Sequence, residues 1–213
     1  ILIFGGKGWI ASQFIEILEK NNIKYTIGTS RVDNDEDVRS EIETINPSHI
    51  ISFIGRTHGG AFKTIDYLEQ KGKLNENIRD NLFSPFVLSL ICKEKGIHYT
   101  YLGTGCIFNY AGNHKFNEED MPNFFGSSYS VVKGFTDRMM HFYDDTTLNV
   151  RIRMPITGED NERNFISKIT KYEKICSIEN SMTVLPELLP YLLKMVVRQN
   201  TGTINLTNPG VIN

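Results

Sequence analysis

Apolar positions along the chain alternate between two rhythms. Short, nearly continuous apolar runs occur at 1–5 (ILIFG), 24–30 (KYTIGTS), 49–55 (HIISFIG), 97–105 (IHYTYLGTG) and 147–156 (TLNVRIRMPI), and each reads as a buried strand. Between them, apolar residues recur at helical spacing over 9–22, 35–46, 75–96 and 127–145. Asparagines close the first of these helices, Pro47 stops the second and Gly96 ends the third, with Pro85 inside it as an expected kink. Ser127 opens the fourth. Strand and helix in strict alternation predict right-handed crossovers and a parallel sheet, the α/β, Rossmann-like, doubly wound fold. The rhythm breaks after Pro155. Helices are expected over 164–175 and 185–199, and one late strand just before the closing NLTNPGVIN. The expected division is a core domain over 1–156 and a small lobe over 157–213, mainly substrate-binding, with the late strand returning to the core.

Composition changes this picture little but excludes several classes. At 213 residues, 40% hydrophobic and 23% charged, the chain suits one soluble domain with a small lobe. A formal net charge of -2 gives no reason to expect a nucleic-acid partner. No apolar run is long enough to cross a bilayer, and no signal-peptide pattern opens the chain, so no membrane partner is expected. Cys92, Cys106 and Cys176 form no CxxC pair and no zinc-binding spacing, so no metal is expected, and their sparse, odd number suits a reducing, cytoplasmic setting. The chain begins at Ile1 inside a strand and ends soon after another, as the ordered part of a longer protein would.

Chemistry concentrates at the ends of strands. GGKGWIA joins the first strand to the first helix and reads as Gly5-x-x-Gly8-x-x-Ala11. Gly5 permits a tight turn, Gly8 lets the backbone approach a pyrophosphate, and Ala11 allows close helix–strand packing, while the helix start offers free N–H groups. The second strand ends in GTSR, placing Ser30 and Arg31 where an NAD site usually has a carboxylate. A hydroxyl and a guanidinium suit a 2′-phosphate, so the expected cofactor is NADPH/NADP; the competing reading makes Arg31 a solvated charge and gives Asp33 the acidic role. YSVVK sets Tyr129 and Lys133 on one helix face, with Thr104 upstream at a strand end. Such a set can reduce a ketone, with the lysine and the oxidised nicotinamide lowering the tyrosine pKa and the threonine holding the carbonyl oxygen.

These motifs resemble the extended short-chain dehydrogenase/reductases. With GWI (8–10), TGCIF (104–108), MPNFFGSSYS (121–130), RIRMPI (151–156), RNFISKI (163–169), NSMTVLPELLP (180–190) and NLTNPG (205–210), the resemblance is closest to the epimerase–reductases that complete nucleotide-L-rhamnose synthesis, above all the C-terminal half of plant UDP-rhamnose synthases. The dTDP-4-dehydrorhamnose reductases and GDP-fucose synthases are related. The resemblance implies a nucleotide-4-keto-6-deoxyglucose substrate, UDP preferred and dTDP next, inverted at C3 and C5 and reduced at C4. It places Trp9, Ile10, Gly55, Asn81 and Pro155 at the cofactor, and Asn164 beside Thr104 and Cys106 at the substrate.

Removing either proton flanking the C4 carbonyl leaves charge on O4, so the donors that serve hydride transfer also serve enolisation. Inversion calls for two acid/base groups. Cys106, two residues past Thr104, can reach the sugar, and an ordinary thiol pKa of about 8.5 suits proton exchange. Lys168 is the second group by resemblance to the plant enzymes, a role that needs desolvation or a neighbouring positive charge. Cys92 and Cys176 are expected to be packing residues, and His58 a lone surface histidine. The alternatives are a reductase or epimerase–reductase of another sugar nucleotide, of the GDP-fucose type, or a non-catalytic NADP(H)-binding subunit. The helices at 75–96 and 127–145 could pair in a homodimer.

Overall fold

The structure is a computed structural model that describes residues 1–110, 114–175 and 177–213. Cys176 therefore lies outside the described residues. Strand β1 (Leu2–Phe4) is buried along its whole length and pairs in parallel with β2 (Thr26–Ile27) on one side and β3 (His49–Ser52) on the other. Strands β4 (His98–Thr104), β5 (Thr147–Ile152) and β8 (Gly202–Asn205) extend the sheet, all parallel, in the order β2-β1-β3-β4-β5-β8. The order reverses between β1 and β3, which opens a crevice at the carboxyl ends of those strands.

Period-two alternation in the strands feeds two cores. Leu2, Phe4 and Ile50 face helices α2 (Asp35–Ile45) and α4 (Ser84–Lys95), packing with Val38, Ile42, Leu88 and Ile91. Ile3, Ile51 and Val150 face the other way, against Phe14 and Leu18 of α1 (Trp9–Lys20) and Leu189, Leu192 and Val196 of α7 (Leu185–Val197). Thus α7 packs beside α1 on the sheet, and β8 pairs with β5. Among the described residues of 157–213, the stretch before α7 and the residues after β8 stand off the sheet and meet each other at Asn180 and Ile212. In the former, β6 (Pro155–Ile156) pairs with β7 (Thr183–Val184), and α6 (Phe165–Ile169) is a single short helix. The helix expected over 164–175 stops early because Ile166, Tyr172 and Ile175 remain exposed, so no apolar face is buried to extend it.

The helix expected over 75–96 is broken in three. Helix α3 (Leu74–Ile78) runs into a π-helical turn at Arg79–Phe83 and then α4. Pro85 has no N–H for the Asn81 carbonyl four residues back. That carbonyl instead accepts from Thr136 Oγ1 at 2.5 Å, on helix α5 (Ser128–Met140). The proline thus ties α4 to the helix that carries Tyr129 and Lys133. At the helix ends, Asn46 closes α2 in the left-handed region just before Pro47, and Gly96 closes α4 likewise.

Candidate active site

The crevice at the switch point is a cleft of about 770 Å³. Its floor is the glycine turn. Gly5 has φ +75°, and a Cβ there would lie 2.8 Å from the Ile54 nitrogen, so the turn admits no other side chain without moving the β3 end. Gly8 is the N-cap of α1, has no side-chain cap, and donates its own N–H to Gly5 O at 3.0 Å. The first intrahelical bond is Ser12 N to Gly8 O, so the amides of Trp9, Ile10 and Ala11 precede the ladder and are open to an anion. Trp9 and Ile10 line the cleft and Ala11 is fully buried beneath it.

The chemical residues gather above this floor. Thr104 ends β4, and its hydroxyl accepts the Cys106 N–H at 3.1 Å beside the Tyr129 phenol. Ser127 caps α5, and Glu69 accepts the Ser128 and Tyr129 amides, which fixes the start of that helix. Burial, then the Cys106 sulfur, hold the Tyr129 phenol well above its usual pKa, although Thr104 pulls it down. The Lys133 ammonium lies on the Tyr101 hydroxyl and donates to Leu102 O at 3.4 Å. Sharing a helix face let Lys133 turn toward β4 rather than along α5. Burial brings its pKa down to about 7.

A second wall comes from the stretch after β5. Lys168, on α6, is half-buried and lines the cleft; burial and then the Arg163 charge lower its pKa. Both conditions set out for an acid/base lysine are therefore present. His58 is not a lone surface residue. It lines the cleft, bonds Arg163 through Nδ1, and has its pKa lowered by burial and then by Arg163. Asn164, expected at the substrate, is instead buried: its side-chain oxygen caps α6, and its amide donates to Thr157 O and Glu159 O. It shapes the loop before α6 because both ends of its amide are already engaged.

Asn81 braces the site from below. It accepts the Arg56 N–H at 3.0 Å and donates to Arg56 O at 2.9 Å, clamping the loop that carries Gly55 to the lip of the cleft. Pro155 lines the opposite lip. At the far end, Ser30 and Arg31 border a separate hollow after β2. The Ser30 N–H is bound by Glu41, and Arg31 makes a two-pronged pair with Asp33 at 3.0 Å for each prong. Arg31 and Asp33, set against each other as rival readings, are thus partners.

Sequence reasoning gave no role to Arg153, whose Nη1 lies 2.7 Å from the Cys106 sulfur. One signal was available: Arg153 follows the carboxyl end of β5, the edge from which α/β sheets present site residues.

The chain matches known proteins along its whole length. A model of the RmlD substrate binding domain matches residues 1–174. Protein L780 of Acanthamoeba polyphaga mimivirus is 56% identical over 99% of this chain and 75% of its own length. A crystal structure described as the L780 UDP-rhamnose synthase superposes with a TM-score of 0.96, at 55% identity over the same shares. The Arabidopsis thaliana bifunctional dTDP-4-dehydrorhamnose 3,5-epimerase/dTDP-4-dehydrorhamnose reductase is 39% identical over 99% of this chain and 70% of that protein. The trifunctional plant protein RHM1, also from Arabidopsis thaliana, is 38% identical, but the chain spans only 32% of it. A family match that takes in the glycine turn, the end of β4 and the start of α5 leaves one assignment: this chain belongs to the RmlD substrate-binding-domain family.

Proposed function

We propose that this chain is an NADPH-dependent 3,5-epimerase/4-reductase that converts a nucleotide-4-keto-6-deoxy-D-glucose to nucleotide-L-rhamnose, with UDP as the preferred nucleotide. The observation that carries this reading is the presence, in one cleft, of a ketone-reducing set (Thr104, Tyr129, Lys133) and two further proton-handling side chains, Cys106 and Lys168. The relatives support it: the plant bifunctional enzyme carries both activities in its name, and L780 is described as a UDP-rhamnose synthase.

A dinucleotide fits the residues present. The uncapped start of α1, with its open amides, suits a pyrophosphate, and the crevice at the strand-order reversal is where such folds take one. Gly5, Gly8, Trp9 and Ile10 would hold the pyrophosphate and Ser30 and Arg31 the adenosine 2′-phosphate. Lys133 would hold the nicotinamide ribose, between Gly55 and Pro155, with Asn81 bracing the Gly55 loop. When bound, NADPH supplies the hydride delivered to C4.

The chain's own residues do the rest. Thr104 and Tyr129 direct hydroxyl donors at O4. Because burial keeps the Tyr129 phenol protonated at neutral pH, it is ready to donate as O4 gains charge. The same two donors stabilise O4 when a proton leaves C3 or C5. Cys106, from the core, and Lys168, from the stretch before α7, are placed to take and return those protons, and Lys168 is brought toward neutrality by burial and Arg163. The half-buried wall of His58, Arg163 and Lys168 screens the sugar from water. Exposed Phe83 and Phe135, on the helical segments at 75–96 and 127–145, support a homodimer through that face. Free Cys92 and Cys106 suit a reducing compartment, and we place the reaction in the cytoplasm.

The test is to supply UDP-, dTDP- and GDP-4-keto-6-deoxy-D-glucose with NADPH and identify products by NMR. UDP-L-rhamnose formed fastest is the expected result. A product reduced at C4 but not inverted, or tight NADPH binding without turnover, would overturn the reading.

A further inference from the structure

Arg153 is held in place more completely than a substrate-binding arginine needs to be. Its Nη1 donates to the Cys106 sulfur at 2.7 Å, and its Nε and Nη2 donate to Asn180 Oδ1 at 3.2 and 2.8 Å. One face of the guanidinium lies over the Tyr110 ring, 4.9 Å from its centre, and the Tyr110 hydroxyl is tied to Gly105 O at 3.0 Å. The backbone is clamped as well: Arg153 N–H donates to Thr183 Oγ1 at 2.9 Å, and Arg153 O accepts the Thr183 N–H at 2.7 Å. Immediately after it, Met154 adopts φ +43°, a costly conformation for a residue with a side chain, and turns the chain from β5 into β6. Strand end, left-handed residue, ring and amide thus converge on one guanidinium, aimed at one sulfur.

A neutral thiol is a weak hydrogen-bond acceptor, whereas a sulfur anion is a strong one. A fixed cationic donor beside the sulfur complements its anionic form better than its thiol form. In the epimerisation proposed above, on which this inference rests, a proton passes between the Cys106 sulfur and a sugar carbon. In whichever direction it moves, one of the two forms of Cys106 is an anion, and the proton returns when the thiol is restored. We infer that Arg153, oriented by Asn180 and Tyr110, is the positioning residue of Cys106: it aims the sulfur and balances its charge during proton exchange at the sugar ring. Arg153 does not itself exchange a proton, since its guanidinium stays charged throughout.

The experiment uses the full chain and three variants: Arg153→Met, which keeps bulk without charge; Arg153→Lys, which restores charge without the fork; and Asn180→Ala, which frees the guanidinium while leaving it present. The first readout is iodoacetamide alkylation of Cys106, followed by mass spectrometry of its peptide. Arg153→Met should slow alkylation about tenfold at pH 7. Asn180→Ala should move it the same way by a smaller factor, and Arg153→Lys should recover part of the loss. The second readout compares solvent deuterium entering C3 and C5 of UDP-4-keto-6-deoxy-D-glucose with hydride transfer to UDP-4-keto-L-rhamnose. Exchange should fall about tenfold further than hydride transfer in Arg153→Met. Unchanged alkylation, with exchange and hydride transfer falling together, would make Arg153 merely structural. A rise confined to KM would make it a substrate contact. Either result overturns the inference. If the wild-type chain shows no exchange at all, the proposed epimerisation fails, and the alkylation readout still decides whether Arg153 controls the sulfur.

Discussion

Replacing Asp137 with Asn should destabilise the protein strongly, and the structure says how much and at which pH. Asp137 lies one turn beyond Lys133 on α5 and is 3% exposed. Its oxygens accept from Arg151 Nε at 2.8 Å, Arg151 Nη2 at 2.7 Å and Asn149 Nδ2 at 2.8 Å. Burial pushes the carboxyl pKa up, but hydrogen bonds from Arg151, His141 and Asn149 and the Arg151 charge outweigh it and leave the value at about 2, against an ordinary 3.8. At ~1.36 kcal/mol per pH unit, the ionised form gains on the order of 2 kcal/mol from the fold. Because the folded value is the lower one, this stabilisation is present above pH ~4 and is lost as pH falls through ~2. The Asn variant leaves Arg151, itself 1% exposed, without its counter-charge. Breaking a buried pair in this way costs about 3–5 kcal/mol, or about 6–20 °C in Tm for a chain of this size. Urea melts at pH 7 should show that loss, and the gap between wild type and variant should narrow by about 2 kcal/mol between pH 4 and pH 2. A variant within about 1 kcal/mol of wild type at pH 7, or a gap that stays constant into acid, would refute the ion-pair argument.

Three further substitutions test individual roles. Tyr129→Phe should bind NADPH as before but reduce UDP-4-keto-L-rhamnose about a hundredfold more slowly, in a stopped-flow assay of NADPH absorbance, because it removes the protonated donor at O4; near-normal turnover would end that assignment. Arg31→Ala should weaken NADPH more than NADH in fluorescence titrations, and Asp33→Asn should tighten NADPH, since Arg31 must leave Asp33 to meet a phosphate; equal effects on both cofactors would show that this pair does not read the 2′-phosphate.

The sheet and its glycine turn were legible because alternating apolar runs and Gly5-x-x-Gly8 are local signals with local causes. Thr104, Cys106 and Tyr129 were legible because strand ends and helix starts can be placed from the pattern. What the pattern missed depends on contacts distant in sequence. Helix α7 reads as a lobe helix until Leu189, Leu192 and Val196 are seen to cover the sheet beside α1. The long helix expected at 75–96 breaks into a π-turn because Thr136, on another helix, supplies the bond that Pro85 cannot. Lys133 turns to Tyr101, which shared helix spacing does not reveal. Asn164 is absorbed by backbone carbonyls of its own loop, and the pairing of Arg153 with Cys106 joins the ends of two neighbouring strands. His58 looked solitary because its partner, Arg163, is 105 residues away.

The central claim is that one cleft performs both inversion and reduction, with Cys106 serving the first and not the second. Serine keeps the size and hydrogen bonding of Cys106 but is a far weaker acid than a thiol. The decisive measurement is solvent deuterium incorporation at C3 and C5 of UDP-4-keto-6-deoxy-D-glucose by Cys106→Ser, set beside its reduction of UDP-4-keto-L-rhamnose. Exchange at one or both carbons should fall about a hundredfold while reduction falls less than about tenfold, with Lys168→Met giving a related exchange defect. Exchange of both protons by Cys106→Ser at the wild-type rate would contradict the account and leave the cysteine as a filler at the end of β4.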